Sequence, residues 1–482
     1  MIKTKLDNNF PLIVDFDNTL VKTDLFVEHI FKLFFLKIYL FPVFIFKLLY
    51  NGRAAAKAYI ASIFAKSRLV LPVREEIVDL INNEKKLGRE VFLITGSNED
   101  AVRNYIKSIN TLTFDEIYGS NNDFNLVGKN KTKFIIENIG EGFIYIGDSK
   151  TDLPVWSACS EVIAINPTKS VETKIKKMSK PFFIYRDKNN FFNSLFKLIR
   201  IHQWIKNSLI FIPFLLSESV SFDNTFLNLV VGFFVLSILA SSTYIINDLI
   251  DLDKDRLHWS KKKRPLAAGH ISIPIALIVA LMSLASSICL SIIFLNFSSI
   301  VILLSYYLLT TSYSLFIKRI AILDIVVLSI LFTLRIILGV TIISASLPFW
   351  LILFSFFIFS SLSIAKRLTE LYKLKKIDSK ESFGRGYLIN DIKFLELFGI
   401  SFAVSSVVMF SLYILLDAVN KSYESYHFLI FSNLIISVWL MRVWLICMRG
   451  KLDDDPIIFA LKDDFSKVCG FLVVLFVLIS KF

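Results

Sequence analysis

From about residue 206 onward the chain is a succession of long apolar runs separated by short polar ones, and no other feature restricts its fold as strongly. The runs lie at 206–220, 226–249, 272–297, 299–314, 320–343, 348–365, 398–417, 425–447 and 465–481. Several approach the ~20 residues that a helix needs to cross ~30 Å of hydrocarbon. The spacing predicts an all-α polytopic bundle of nine spans. The first two hundred residues read differently. With 55% hydrophobic residues and 47 Phe the chain is too apolar for a soluble enzyme, yet 20% charged is high for a pure bundle. Both follow if a soluble α/β unit precedes the membrane half. Disorder, collagen-like repeats and a disulfide scaffold are excluded by composition. Cys159, Cys289, Cys447 and Cys469 show no paired spacing and read as small core residues, without disulfide or zinc. The polar Met1–Asn9 segment predicts no secretory signal.

Loop charge predicts the orientation. The loop 250–270 carries Lys254, Arg256, Lys261, Lys262, Lys263 and Arg264. The next basic loop holds Lys318 and Arg319, and the next runs from Lys366 to Lys393 with eight basic residues. The intervening turns near 218–225, 296–299 and 344–347 contain no Lys or Arg. Alternate loops, and the N-terminal unit with them, are therefore expected on the cytoplasmic side. The net charge of +13 is thereby assigned to a membrane surface, with no nucleic-acid partner and no obligate protein partner implied.

Carboxylates inside or beside a membrane are costly and point to function. The second run ends in Asn247-Asp248-Leu-Ile-Asp251-Leu-Asp253-Lys-Asp255-Arg256. On a continuous helix Asn247, Asp251 and Asp255 drift by only about 40° per step, with Asp248 flanking them. Such a face suits Mg²⁺ shared with substrate phosphates. Basic residues that can bind phosphate follow, from His258 through Lys261, Lys262 and Lys263 to Arg264 and Pro265.

The Asn-Asp-x-x-Asp-x-x-x-Asp pattern resembles the first aspartate-rich motif of the UbiA prenyltransferase superfamily, nine-helix membrane enzymes that hold a diphosphate through Mg²⁺. The chain is most similar to its decaprenyl-phosphate phosphoribosyltransferase branch. That branch opens its first span with Arg-x-x-Gln-Trp-x-Lys-Asn, here Arg200 to Asn207 through Gln203, Trp204 and Lys206. Its basic loop, His-Pro-x-Lys-Arg-x-Arg-Pro-x-Ala-Ala-Gly, runs here from His258 to Gly269, with Trp259 in place of proline and Lys262 in place of arginine. A second motif holds Tyr313, Lys318, Arg319 and Asp324, followed by Arg335, Lys366, Arg367 and Glu370. A single carboxylate among bases suits a substrate richer in phosphate than a prenyl diphosphate. Asp454-Asp455-Pro456 also resembles that branch. The resemblance implies Mg²⁺ at Asp248, Asp251, Asp255 and Asp324, with phosphates at Lys206, Lys261, Arg264, Lys318 and Lys366. It also implies substrate contacts from Gln203, Asn207, Asn247, Arg256, Lys262, Tyr313, Arg335 and Arg367. Phosphoribosyl diphosphate would be the donor and a polyprenyl phosphate lipid the acceptor. The alternative is transfer of a prenyl group from its diphosphate to an aromatic or other small acceptor, which calls for a second aspartate pair near 313–324 that the sequence lacks.

In the N-terminal unit an apolar strand, Pro11–Val14, ends in Asp15-Phe-Asp17-Asn18-Thr19. A second ends in Thr95, Lys129, Lys131 and Lys133 open a predicted helix, and a third strand delivers Asp148 and Asp152. Carboxyl ends of parallel strands share one crevice, so these groups make a phosphoryl-transfer site. Four elements in this order resemble the haloacid dehalogenase (HAD) superfamily of phosphatases. The resemblance implies Asp15 as nucleophile, Asp17 as general acid/base, Thr95 and Lys131 on the phosphate, and Mg²⁺ at Asp15, Asp17, Asp148 and Asp152. The lysine density leaves Lys129 or Lys133 as alternatives to Lys131.

The expected organisation is a HAD-like α/β unit at 1–166 with a helical cap inserted at 22–88, a basic membrane-surface linker at 167–199, and a UbiA-like domain at 200–482. The Phe-rich segment 25–50 is expected to lie in the membrane interface with Lys32, Lys37 and Lys47 reaching the headgroups. The whole reads as a multi-pass membrane enzyme with both active sites at the cytoplasmic face. The HAD-like unit is expected to dephosphorylate the product of the transferase, or, under the alternative, to act independently.

Overall fold

The computed structural model describes residues 10–65, 69–109, 111–121, 124–216, 224–345, 349–376, 386–418, 423, 425–452 and 456–481. The N-terminal part begins with β1 (Leu12–Val14), then three helices, α1 (Leu25–Leu36), α2 (Phe41–Tyr50) and α3 (Gly52–Phe64). It continues through α4 (Glu75–Lys86), β2 (Val91–Asn98), α5 (Glu99–Lys107), β3 (Glu116–Ser120), α6 (Lys129–Asn138) and β4 (Ile144–Gly147). Then follow α7 (Leu153–Ala158), β5 (Glu161–Ile165), α8 (Lys169–Lys176), β6 (Phe182–Tyr185) and α9 (Phe191–Ile199). The six strands form one parallel sheet in the order β3-β2-β1-β4-β5-β6. β1 is buried on both faces because alternate residues serve two cores. Leu12 and Val14 pack with Val91, Leu93 and Ile146, whereas Ile13 packs with Ile94, Tyr145 and Trp156. The strand order reverses direction between β1 and β4, the place where open α/β sheets bind ligands.

Two expectations are corrected in this part. The segment 167–199, expected as a linker, contains α8 and the sixth strand, and β6 extends the sheet beside β5. The apolar stretch 25–50 is two helices bent by 113° about a 3-10 turn at Ile38–Leu40, with Phe34, Phe35, Leu36, Tyr39 and Phe46 exposed. Its lysines also differ from expectation. Lys32 is buried and ion-paired to Asp253, Lys37 lies over the Phe64 ring and Lys47 over that of Tyr59.

Further on come α10 (Ile212–Leu216), α11 (Asn224–Ile250), α12 (Leu252–Leu257), α13 (Ile273–Phe294), α14 (Phe297–Leu315) and α15 (Leu323–Ile342). They are followed by α16 (Phe349–Lys376), α17 (Ile392–Tyr413), α18 (His427–Met448), α19 (Pro456–Lys462) and α20 (Asp464–Ile479). Among the described residues seven single helices are long and apolar enough to cross a membrane. The other two expected spans are a 3-10 stretch, Ile201–Phe211, running into the short α10, and the 16-residue α20. The fold is thus a parallel α/β sheet followed by a helical membrane bundle.

The chain divides into two compact units, residues 1–199 with 248–279, and residues 200–247 with 280–482. The loop after α11 therefore folds with the N-terminal unit.

Candidate functional site

At the carboxyl end of β1, Asp15 accepts hydrogen bonds from the Phe16 amide (2.8 Å) and from Lys131 Nζ (2.9 Å). Lys131 sits in the first turn of α6, entered through Gly128 at a φ of 57°, a left-handed conformation that favours glycine. Its ammonium also donates to the Tyr145 hydroxyl at 2.8 Å, and that hydroxyl donates to Asp152 Oδ1 at 2.7 Å. The other Asp152 oxygen accepts the Ser149 amide at 3.0 Å and the Asp148 amide at 3.2 Å. Gly147 is required beneath it, since a Cβ there would meet the Asp152 carboxyl at 2.8 Å. Carboxylate oxygens of Asp15, Asp148 and Asp152 lie within 4.8 Å of one another.

Asp17 does not join this cluster. Its two oxygens accept the Leu25 amide at 2.9 Å and the Ser97 hydroxyl at 2.6 Å. Thr95 is fully buried, with its hydroxyl accepting the Ser97 amide at 3.0 Å. Burial raises the Asp15 carboxyl to about 6 despite Lys131, and the Asp17 carboxyl to about 7, helped by the charges of Asp24 and Asp15. Asp148 is held well above the usual range by burial and then by Asp152 and Asp15. Three hard oxygen donors that repel one another match Mg²⁺, so the residues present fit such an ion. Two participants carry no motif signal, Tyr145 in the sheet and Lys57 of α3. Lys57 donates to the Gly96 carbonyl at 2.6 Å, and burial lowers its ammonium against the pull of Asp17, Asp24 and Asp15.

The aspartate-rich turn also belongs to this unit from Asp248 onward. The expected continuous helical face is interrupted. α11 ends at Ile250, and Asp251 forms the joint before α12. Asp248 and Asp255 are buried, and both are held by Arg264, whose Nη1 lies 2.9 Å from Asp248 Oδ1. Lys261 lies 3.9 Å from Asp255, Asp251 is half-buried, and Lys262 is exposed. Arg256, expected on substrate phosphate, instead makes a buried two-point ion pair with Glu28 of α1.

In the bundle unit Asn207 accepts Arg335 Nε at 2.9 Å and donates to Ser237 at 3.0 Å. Arg335 is buried, and its other nitrogens reach the Tyr306 hydroxyl (3.0 Å) and the Leu331 carbonyl (2.5 Å). Trp204 Nε1 donates to Ser241 at 3.0 Å, which seats the Gln203–Asn207 signature on α11, with Lys206 buried and Gln203 half-buried. Asp324 is fully buried. It is paired at 2.6 Å with Arg367 and accepts the Tyr387 hydroxyl. Arg367 also binds both oxygens of Glu370 at 2.9 Å and Tyr313 at 3.2 Å. Lys318 lies 3.5 Å from the Asn247 side-chain oxygen, and Lys366 is half-buried. Tyr306 and Tyr387 bring polar contacts that no motif announces. Asp454 and Asp455 lie outside the described residues.

Residues 208–461 match the UbiA prenyltransferase family. An uncharacterised protein of Sinorhizobium fredii is 34% identical over 97% of this chain and 90% of its own length. Nodulation protein NoeC of Azorhizobium caulinodans is 30% identical over 56% of this chain and 87% of its own. The decaprenyl-phosphate phosphoribosyltransferase of Mycolicibacterium smegmatis is 29% identical over 41% of this chain and 65% of that protein. Among solved structures, a UbiA homologue from Archaeoglobus fulgidus bound to GPP and Mg²⁺ is similar, with a TM-score of 0.46 and 17% identity over 60% of this chain and 98% of that one. With more than half its length matched by the family, this chain is a member of the UbiA prenyltransferase family of integral membrane proteins.

Proposed function

We propose that the protein is a two-site membrane enzyme of polyprenyl-phosphate sugar metabolism, with both sites at the cytoplasmic face. Its bundle would transfer 5-phosphoribosyl from phosphoribosyl diphosphate to a polyprenyl phosphate, and its N-terminal site would remove the 5-phosphate from the product. The observation that supports the donor best is the imbalance of charge at the second motif. Asp324 is the one carboxylate of the 313–324 stretch, and Arg367 already neutralises it. Likeness to proteins named decaprenyl-phosphate phosphoribosyltransferase supports the same donor.

In the transfer, a phosphate oxygen of the lipid attacks ribose C1 while the bond from C1 to the diphosphate oxygen breaks. Asp248, Asp251 and Asp255 would hold Mg²⁺, which would neutralise charge on the leaving diphosphate, whereas Asp324 is already paired with Arg367. Lys206, Lys261, Lys318 and Lys366 would bind phosphate oxygens, and Arg264 would exchange its carboxylate partners for them. In the second reaction an Asp15 oxygen attacks phosphorus, and the protonated Asp17 gives its proton to the departing ribose 5-oxygen. Water then attacks the aspartyl-phosphate with Asp17 as base, releasing phosphate and restoring Asp15. An Asp17 carboxyl near 7 suits a group that must both give and take a proton at neutral pH. The ion at Asp15, Asp148 and Asp152 would screen the phosphate charge. Asp15→Asn keeps the side-chain shape but is a poor nucleophile. Membranes carrying this variant, given phosphoribosyl diphosphate and polyprenyl phosphate, should accumulate the 5-phosphorylated lipid by mass spectrometry. The dephosphorylated lipid formed at the wild-type rate would overturn the coupling.

A further inference from the structure

α1 of the N-terminal unit and α12 of the aspartate-rich turn carry matching charges. α1 has an acid and a base one turn apart, Glu28 and Lys32, and α12 has Asp253 and Arg256 three residues apart. Glu28, fully buried, meets Arg256 at 2.7 and 3.2 Å, and Lys32 meets Asp253 at 2.7 Å. Thr23 donates to Glu28 at 2.8 Å, fixing its rotamer. Arg256 also donates to the Val70 carbonyl at 2.9 Å, so it bridges α1 and one of the two chain segments that connect the α1–α3 insertion to the sheet. The two segments are themselves joined by the Val21–Val73 bridge and by Lys22 donating to Pro72 at 2.8 Å. The loop returns to the same place at Gly269. Its φ of 71° and a Cβ that would fall 3.0 Å from the Lys22 carbonyl and 2.6 Å from its Cβ leave room only for glycine. With about 100° per residue, Asp253 and Arg256 lie about 160° and 100° around α12 from Asp255, and Asp251 is the residue just before the helix. One side of α12 is thus held by α1, while Asp255 stands on another and Asp251 at the joint before it.

We propose that Glu28 and Lys32 are positioning residues for the transferase. By holding Arg256 and Asp253 they set the angle at which Asp251 and Asp255 meet the diphosphate and its cation. The inference rests on the reading of this turn as a diphosphate site. It makes the N-terminal unit a part of the transferase whatever its own hydrolytic activity. Breaking the Glu28–Arg256 pair leaves a buried charge without its partner, breaking the Lys32–Asp253 pair leaves a half-exposed one, and exchanging both members restores the attraction in reversed sense.

The test uses the full-length protein in detergent and inorganic pyrophosphate with Mg²⁺ as the probe, followed by calorimetry. The transferase component is the binding that Asp251→Ala removes. Lys32→Glu should weaken that component roughly tenfold, within the coupling measured for contacting pairs. Adding Asp253→Lys to it should recover most of the loss. Lys32→Met serves if Lys32→Glu does not fold, and should weaken binding in the same direction. Pyrophosphate affinity equal to wild type in the single variants, or a double variant no better than Lys32→Glu, overturns the positioning role. Absence of any Asp251-dependent binding in the wild type overturns the diphosphate reading itself. Normal pyrophosphate binding without phosphoribosyl transfer removes only the proposed donor.

Discussion

Asp15, Asp17 and Asp148 crowd the carboxyl ends of β1 and β4, and burial pushes all three carboxyls upward. A carboxyl whose pKa rises on folding binds more protons in the native than in the unfolded state. Its contribution to stability is therefore present at low pH and is lost as pH rises through the folded values, about 6 for Asp15 and about 7 for Asp17. At higher pH a divalent cation held by Asp15, Asp148 and Asp152 would take the place of the proton on Asp15. Chelation with EDTA should lower the Tm of the purified protein by several degrees at pH 8 and by much less at pH 5. An equal effect at both would contradict a metal at this cluster. The sequence favoured Lys131 and left Lys129 and Lys133 as alternatives. Only Lys131 is buried and on Asp15, whereas Lys129 and Lys133 are exposed. Helix register against a sheet decides this, and register is a tertiary property. The same applies to Arg256, whose local sequence predicts a phosphate ligand and whose partner lies 228 residues away.

At the level of elements, hydropathy located the long helices well and the first segment poorly. The stretch 201–211 is 3-10, and it packs closely because Gly339 of α15 brings the Ile210 carbonyl to 2.1 Å from where a Cβ would stand. Backbone oxygen cannot give way as a side chain can. Gly339→Ala should therefore lower Tm and transfer activity together, because it moves the segment bearing Gln203, Lys206 and Asn207 off α15. Gly470→Ala on α20, with nothing within 4 Å, is the control and should leave both close to wild type. A normal Tm for Gly339→Ala would show that the close approach is dispensable. Apolar periodicity cannot separate a 3-10 turn from a short α-helix, and it missed β6 for another reason. Phe182–Tyr185 is a plain aromatic strand, but the lysines around it suggested a membrane-surface linker. Similarly, the aspartates were legible as a helical face, while the break at Asp251 was not.

For the molecule as a whole, the basic loops predict a cytoplasmic N-terminal unit. Ser298→Cys and Lys263→Cys, each placed at an exposed position in a background carrying Cys289→Ser, test this. In intact cells a membrane-impermeant maleimide should label the first and not the second, which should react only after the membrane is opened. The opposite pattern would place both proposed sites on the wrong side of the bilayer.

The division into units adds an order of events during synthesis. The N-terminal unit is discontinuous, since residues 248–279 complete it after the 27-residue α11 has been made. At 5–20 residues per second, the 228 residues between Glu28 and Arg256 keep Glu28 waiting for roughly ten to fifty seconds. Insertion of α11 into the bilayer is then a step in the maturation of the N-terminal unit. A ribosome stalled before residue 248 would leave an α/β sheet already formed, with the charges on α1 still exposed to water.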